Sequence, residues 1–76
     1  MSPKLPRITG KQLIRALERA GYLQQRQRGS HVYLKRESDG RRVVVPVHTG
    51  RDIPLGTLHA ILRDADITPE QLIELL

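Results

Sequence analysis

The apolar residues between Thr9 and Gly21 recur at the spacing of one helical face. Gln12 follows Thr9 by three residues, which is the capping-box pattern of a helix start, and Gly21 supplies a stop signal. The sequence therefore predicts a first helix over residues 10–20. The apolar positions on its inner face are Leu13, Ile14, Leu17 and Ala20.

Two further helical patterns lie near the end of the sequence. Pro54 suits the first turn of a helix, and a helical stripe of apolar residues follows it, which predicts a helix over residues 54–65. Thr68 and Pro69 combine a capping residue with a proline and predict the start of a short last helix. The stripe of the longer helix consists of Leu55, Leu58, Ile61, Leu62 and Ala65.

Between these helices the helical period vanishes. Two alternating runs flank Gly29 within residues 22–36, and glycine readily adopts the positive φ that a tight hairpin needs, so two antiparallel strands are predicted. In the second run Val32 and Leu34 fall on one face of the strand. The opposite face then carries His31, Tyr33 and Lys35.

A third strand is predicted over residues 41–47, after a turn at residues 37–40. If its inward side chains are Val43, Val45 and Val47, the outward ones are Val44, Pro46 and His48, and the apolar Val44 leaves that register open. Proline donates no ladder hydrogen bond, so Pro46 indicates an edge strand.

The order of these elements predicts an α+β fold. One amphipathic helix precedes three strands and another follows them, and the simplest packing puts both helices on one face of a three-stranded antiparallel sheet. The order is α-β-β-β-α plus a short C-terminal helix, and the other face of the sheet stays open. A length of 76 residues favours one domain over residues 1–76.

Charge indicates an anionic partner. Residues 1–51 carry 12 basic and 3 acidic side chains, whereas residues 52–76 carry 1 basic and 5 acidic ones. Ten of the 13 cations are arginine, whose planar fork matches phosphate oxygens, so nucleic acid is favoured over an acidic membrane, with a merely solvated surface as the alternative. A ridge of Lys11, Arg15 and Arg19 on the first helix is either an RNA or protein contact or an ordinary wet face relieved by Glu18.

Several kinds of site are disfavoured by spacing. The histidines His31, His48 and His59 form no metal-ligand pattern, and no glycine-rich phosphate loop precedes a helix, so we expect neither a metal nor a nucleotide cofactor.

Residues 1–7 contain no apolar run typical of a signal peptide, and no apolar stretch is long enough to cross a membrane. The expected compartment is the cytoplasm.

His31 is the candidate for chemistry, beside the turn at Gly29 and Ser30. A lone surface histidine is usually incidental, but Arg26, Arg28 and Lys35 surround it in sequence and would draw a phosphodiester towards it. RNA carries its own nucleophile, the 2′-hydroxyl, so one general base with cations suffices without a metal. Ser30 and Tyr33 either orient the substrate or serve the turn and the sheet surface.

The chain resembles the HicA toxins of HicA–HicB toxin–antitoxin modules over almost its whole length. The resemblance is carried by the Gly29-Ser30-His31 step together with residues 9–14, 20–22, 42–48 and 53–62. It implies a double-stranded-RNA-binding-domain-like fold, metal-independent cleavage of mRNA and neutralisation by a HicB antitoxin. The free toxin would be a monomer that forms a hetero-oligomer with the antitoxin.

The resemblance assigns the catalytic histidine to His31. Where many members carry a second histidine after this position, the present strand continues with Val32 and Tyr33. Residues expected to contact RNA are Lys11, Arg26, Arg28, Gly29, Ser30 and Lys35. Two other readings stay open: a non-catalytic module that binds double-stranded RNA, and a basic surface that docks an acidic protein.

Overall fold

The computed structural model describes residues 4–76. The prediction that residues 1–7 contain no signal-peptide run therefore lies partly outside the described residues. The predicted α+β architecture is confirmed. Its elements are α1 (Gly10–Arg19), β1 (Tyr22–Arg28), β2 (His31–Arg36), β3 (Arg42–Pro46), α2 (Leu55–Ala65) and α3 (Pro69–Leu75). No helix within residues 4–76 has the length and apolar character of a membrane span.

Local signals set the helix ends. The side chains of Thr9 and Thr68 each accept a hydrogen bond from the backbone N–H of the glutamine three residues on, and the backbone N–H of each threonine donates to the side-chain oxygen of that glutamine, which gives two complete capping boxes. Pro54 has an extended ψ of 139° and precedes α2 as its N-cap, so α2 begins one residue later than predicted. The helix ends at Asp66, whose left-handed φ of 57° allows the Ile67 N–H to bond to the Leu62 carbonyl.

The sheet is antiparallel in the order β1-β2-β3, which puts β3 at an edge as Pro46 indicated. Val32 pairs with Val45 and Leu34 with Val43, and all four side chains are buried beneath the helices. Val44 is 40% exposed. The strand therefore has the predicted register, which the sequence had left open.

One hydrophobic core lies between the sheet and the helices. Its largest fully buried side chain is Tyr22, at the start of β1. Gly10 permits close packing at the other end of the sheet, because a Cβ there would collide with the Pro46 carbonyl oxygen. The start of α1 is therefore fixed directly against the end of β3.

A polar cluster joins the turn between β2 and β3 to the end of α2. The Tyr22 hydroxyl donates to the Ala65 carbonyl at 2.8 Å, and the Arg36 guanidinium lies 4.8 Å from the Tyr22 ring centroid. Burial raises the pKa of the Tyr22 phenol, so this donor stays neutral. Arg36 also forms a two-bond ion pair with Asp39, at 2.7 and 3.2 Å.

Asp39→Asn is expected to lower stability at neutral pH but to have little effect near pH 2. The side-chain hydrogen bond from Arg36 lowers the pKa of the Asp39 carboxyl from 3.8 to about 2. A carboxyl whose pKa is depressed by folding contributes stability above its ordinary pKa, and this contribution disappears as the pH falls through the folded value. Urea midpoints of the two proteins, compared from neutral pH down to about pH 2, measure the effect.

Glu37→Gln is the matched control for this prediction. Its carboxylate approaches Lys35 only to 4.0 Å and is largely exposed, so this substitution should change the stability at neutral pH very little. A destabilisation by Asp39→Asn that persisted undiminished at pH 2 would show that the charge of Asp39 is not what stabilises the turn.

Candidate active site on the open sheet face

The face of the sheet that the helices leave uncovered carries three rows of side chains, here called the open face. Residues paired directly across antiparallel strands place their side chains on the same face. The rows are Arg28-His31-Pro46, Arg26-Tyr33-Val44 and Leu23-Lys35-Arg42. The open face thus combines one histidine, one aromatic ring and four basic side chains.

His31 is the first residue of β2 and is exposed on the open face. Gly29 has a φ of 56°, which the two-residue turn requires and glycine adopts without strain. The Ser30 carbonyl accepts the Val47 N–H at 2.6 Å, and the Gln27 side-chain amide donates to the Gly29 carbonyl at 3.1 Å. The turn is therefore tied to both neighbouring segments, which holds the backbone of His31 in a defined position.

A groove of about 460 Å³ lies further along the sheet, and its lining starts on β2 at Tyr33, two residues after His31. Arg26, Tyr33, Lys35 and Arg42 line it, and the Arg26 guanidinium lies 4.8 Å from the Tyr33 ring centroid. Asp64 is the one acidic residue in its lining. The groove offers cations and an aromatic surface two residues along β2 from His31.

An irregularity in β1 decides which side chains reach the open face. Gln24 pairs with Leu34 but Arg26 pairs with Tyr33, so Gln25 is an extra residue, a β-bulge. In a regular strand that starts with Tyr22 inward, every second residue would follow it inward, Arg26 among them. The bulge reverses the alternation and turns Arg26 and Arg28 outward, beside His31.

A family model for the HicA toxin of bacterial toxin–antitoxin systems matches residues 10–67. This match covers most of the chain, from α1 to the end of α2, and includes every residue of the open face. The chain belongs to the HicA toxin family. Membership implies a cognate antitoxin as partner. A search of curated proteins gave no significant match.

In this HicA toxin, the structure does not bring Lys11 to the open face. Lys11 lies on the helical side of the sheet, in a groove of about 280 Å³ between α1 and β1 that Arg15, Glu18 and Gln27 also line. The third member of the predicted basic ridge, Arg19, donates to the Leu75 carbonyl at 2.6 Å. Lys11 and Arg15 of the ridge therefore line a groove, whereas Arg19 caps the C-terminal end of α3.

The remaining histidines of this HicA toxin lie elsewhere. His48 is exposed in the segment after β3 and shares a cavity of about 100 Å³ with Lys11 and Thr49, and His59 is exposed on α2. Within residues 4–76 no three histidine, cysteine or carboxylate side chains are grouped as metal ligands would be. Of the three histidines, His31 is thus the one on the open face.

Two features of the site were not predicted from the sequence. Arg42 joins the groove opposite Lys35, although its place two residues before Val44 in an alternating strand could have indicated it. The stacking of Arg26 on Tyr33 depends on the bulge at Gln25, for which the sequence holds no clear signal.

Proposed function

We infer that this chain is an endoribonuclease toxin that cleaves mRNA, and so inhibits translation, without a metal ion. The observation that carries the proposal is the position of His31, exposed at a fixed turn, opposite Arg28 and in line with Tyr33 and Lys35. A phosphodiester drawn to these cations would lie against the imidazole. Family membership as a toxin supports the same conclusion.

The chemistry uses the nucleophile of the substrate. His31 accepts the proton of a ribose 2′-hydroxyl, and the resulting oxyanion attacks the adjacent phosphorus as the bond to the 5′-oxygen breaks. The imidazolium returns the proton to the departing 5′-oxygen. The products are a 2′,3′-cyclic phosphate and a 5′-hydroxyl, so no water or cofactor is consumed in this step.

The other predicted contacts take supporting roles. Arg28 faces His31 across the strand pair, and Lys35 lies further along β2, so both neutralise phosphate charge on the bound strand. Gly29 and Ser30 form the turn that presents His31. Lys11, on the other side of the sheet, would contact RNA only beyond the cleaved segment.

A HicB-type antitoxin is the proposed inhibitory partner. The excess of basic residues before position 52 suits an acidic protein surface. A partner bound to the open face would prevent RNA from reaching His31. The free toxin is then a monomer that forms a hetero-oligomer with the antitoxin. Both would act in the cytoplasm, where mRNA is found.

Cleavage of RNA in excess EDTA tests the proposal. We expect the purified chain to cut single-stranded RNA with EDTA present, to leave cyclic phosphate ends, and to spare a strand whose 2′-hydroxyls are replaced by hydrogen. Retention of intact RNA without cleavage would favour the non-catalytic RNA-binding module instead. Binding of the antitoxin with no RNA binding at low salt would favour the protein-docking surface.

A further inference from the structure

The groove on the open face contains side chains of the types that bind unpaired nucleotides in other proteins. Proteins that hold single-stranded RNA combine a positively charged groove with aromatic or guanidinium planes on which bases stack. Here Tyr33 and the Arg26 guanidinium form one stacked pair, and Lys35 and Arg42 supply charge beside it. The proposed cleavage reaction accounts for His31 and the cations but leaves the aromatic ring unused.

The order of these side chains along β2 fits one strand of RNA. His31, Tyr33 and Lys35 occupy alternate positions of β2, so they share a face and span about 13 Å at roughly 3.3 Å per residue. A strand running along β2 would meet the proton-transfer group first, then the stacking surface, then the cations. The base next to the phosphate at His31 would therefore lie against Tyr33.

Tyr33 is accessible for this contact. It is half-buried by its neighbours, and its cross-strand partners on the open face are Arg26 and Val44. By contrast Tyr22 is fully buried and its hydroxyl is bonded to Ala65. Of the two tyrosines of the chain, Tyr33 is thus the one that a ligand reaches.

We propose that Tyr33 and Arg26 form a base-stacking subsite that makes the substrate an RNA segment with an unpaired nucleotide beside the cleaved bond. Lys35 and Arg42 hold the phosphate that follows this nucleotide. The inference rests on the proposed ribonuclease function and adds the class of RNA, because a base paired within a duplex offers no free face for stacking. A duplex would then be a poor substrate unless it opens at this point.

Tyrosine fluorescence tests the subsite directly, because the chain contains no tryptophan. Tyr22 is fully buried in the core, so a bound RNA base can contact only Tyr33. The probe is a single-stranded RNA of about 12 nucleotides, added to protein carrying His31→Ala so that it stays intact. We expect it to quench the emission of Tyr33, and we expect the same strand annealed to its complement to quench much less. Tyr33→Phe should remove the quenching signal while keeping the affinity.

Affinity measurements complete the test. Tyr33→Leu should weaken binding of the single strand by about 5-fold to 100-fold, the range for loss of one stacked base. Arg42→Gln should weaken binding and reduce its salt dependence by about one ion. Arg63→Gln, an exposed arginine of α2 outside the groove, should change neither. Circular dichroism of each variant excludes loss of the fold as the cause.

Distinct results overturn the subsite and the proposed function. Equal affinity of Tyr33→Leu and the parent protein for the single strand, or equal quenching by single strand and duplex, overturns the subsite even if His31-dependent cleavage is observed. Stacking without any cleavage keeps the subsite and overturns the ribonuclease. Loss of antitoxin binding by Tyr33→Leu with RNA affinity unchanged shows that the groove docks a protein, and this too overturns the proposal.

Discussion

His31→Ala is expected to lower the rate of RNA cleavage by about 10²-fold to 10⁴-fold, the usual contribution of a positioned general acid or base. The side chain is exposed, so the thermal midpoint of the variant should stay close to that of the wild type. Single-turnover cleavage of a labelled RNA, measured at saturating protein, separates the chemical step from binding.

His59→Ala is the matched control for this substitution. His59 is exposed on α2, outside the open face, so its loss should leave cleavage unchanged. In cells, expression of the wild type should arrest growth, and either His31→Ala or coexpression of the antitoxin should relieve the arrest. Cleavage by His31→Ala at the wild-type rate would rule out His31 as the catalytic residue.

Tyr22→Ala is expected to cost about 3–5 kcal/mol of unfolding free energy, the usual range for removing a buried aromatic side chain. Tyr22 is 0% exposed and is the largest fully buried side chain of the core. A chain of 76 residues has a total stability of only about 4–11 kcal/mol, so this loss should remove a large part of it. Urea denaturation followed by circular dichroism measures the loss.

Tyr22→Phe separates the ring from the hydroxyl. It keeps the apolar packing and removes the hydrogen bond to Ala65, for which Arg36 remains a second donor at 3.4 Å. The expected loss is therefore about 1 kcal/mol. Similar losses for the two variants would contradict the conclusion that burial of the ring dominates.

The sequence predicted those parts of the fold that depend on neighbouring residues. The capping boxes at Thr9 and Thr68 involve bonds over three residues, so they were visible as short patterns. Gly29 marked the hairpin because few residues other than glycine adopt its positive φ. Alternation placed Val32 and Leu34 in the core correctly, since β2 is regular and only one of its faces is covered.

The polar cluster around Tyr22 was not predictable in the same way. Its partner Ala65 lies 43 residues away, and Arg36 and Asp39 reach it from the turn between β2 and β3. Such contacts depend on how α2 crosses the sheet, which no local spacing specifies. The apolar stripes that predicted the helices are aliphatic, yet the largest side chain of the core is an aromatic ring with a bonded hydroxyl.

For the candidate site, the sequence was sufficient to predict which side chains share one face of β2. It indicated His31 at the hairpin turn, with Tyr33 and Lys35 on the same face of β2, because these positions follow from alternation within one strand. The excess of arginine before position 52 indicated an anionic partner. Both conclusions rest on composition and on spacing over a few residues.

The tertiary structure alone decided which cations accompany His31. The bulge at Gln25 turns Arg26 and Arg28 to the open face, and the position of α1 on the opposite side takes Lys11 away from it. A strand register is fixed by the fit of two strands and of the helices beneath them, and one extra residue reverses every side chain beyond it. Arg26 and Arg28, which are close to His31 in sequence, therefore share its face of the sheet only because of this packing.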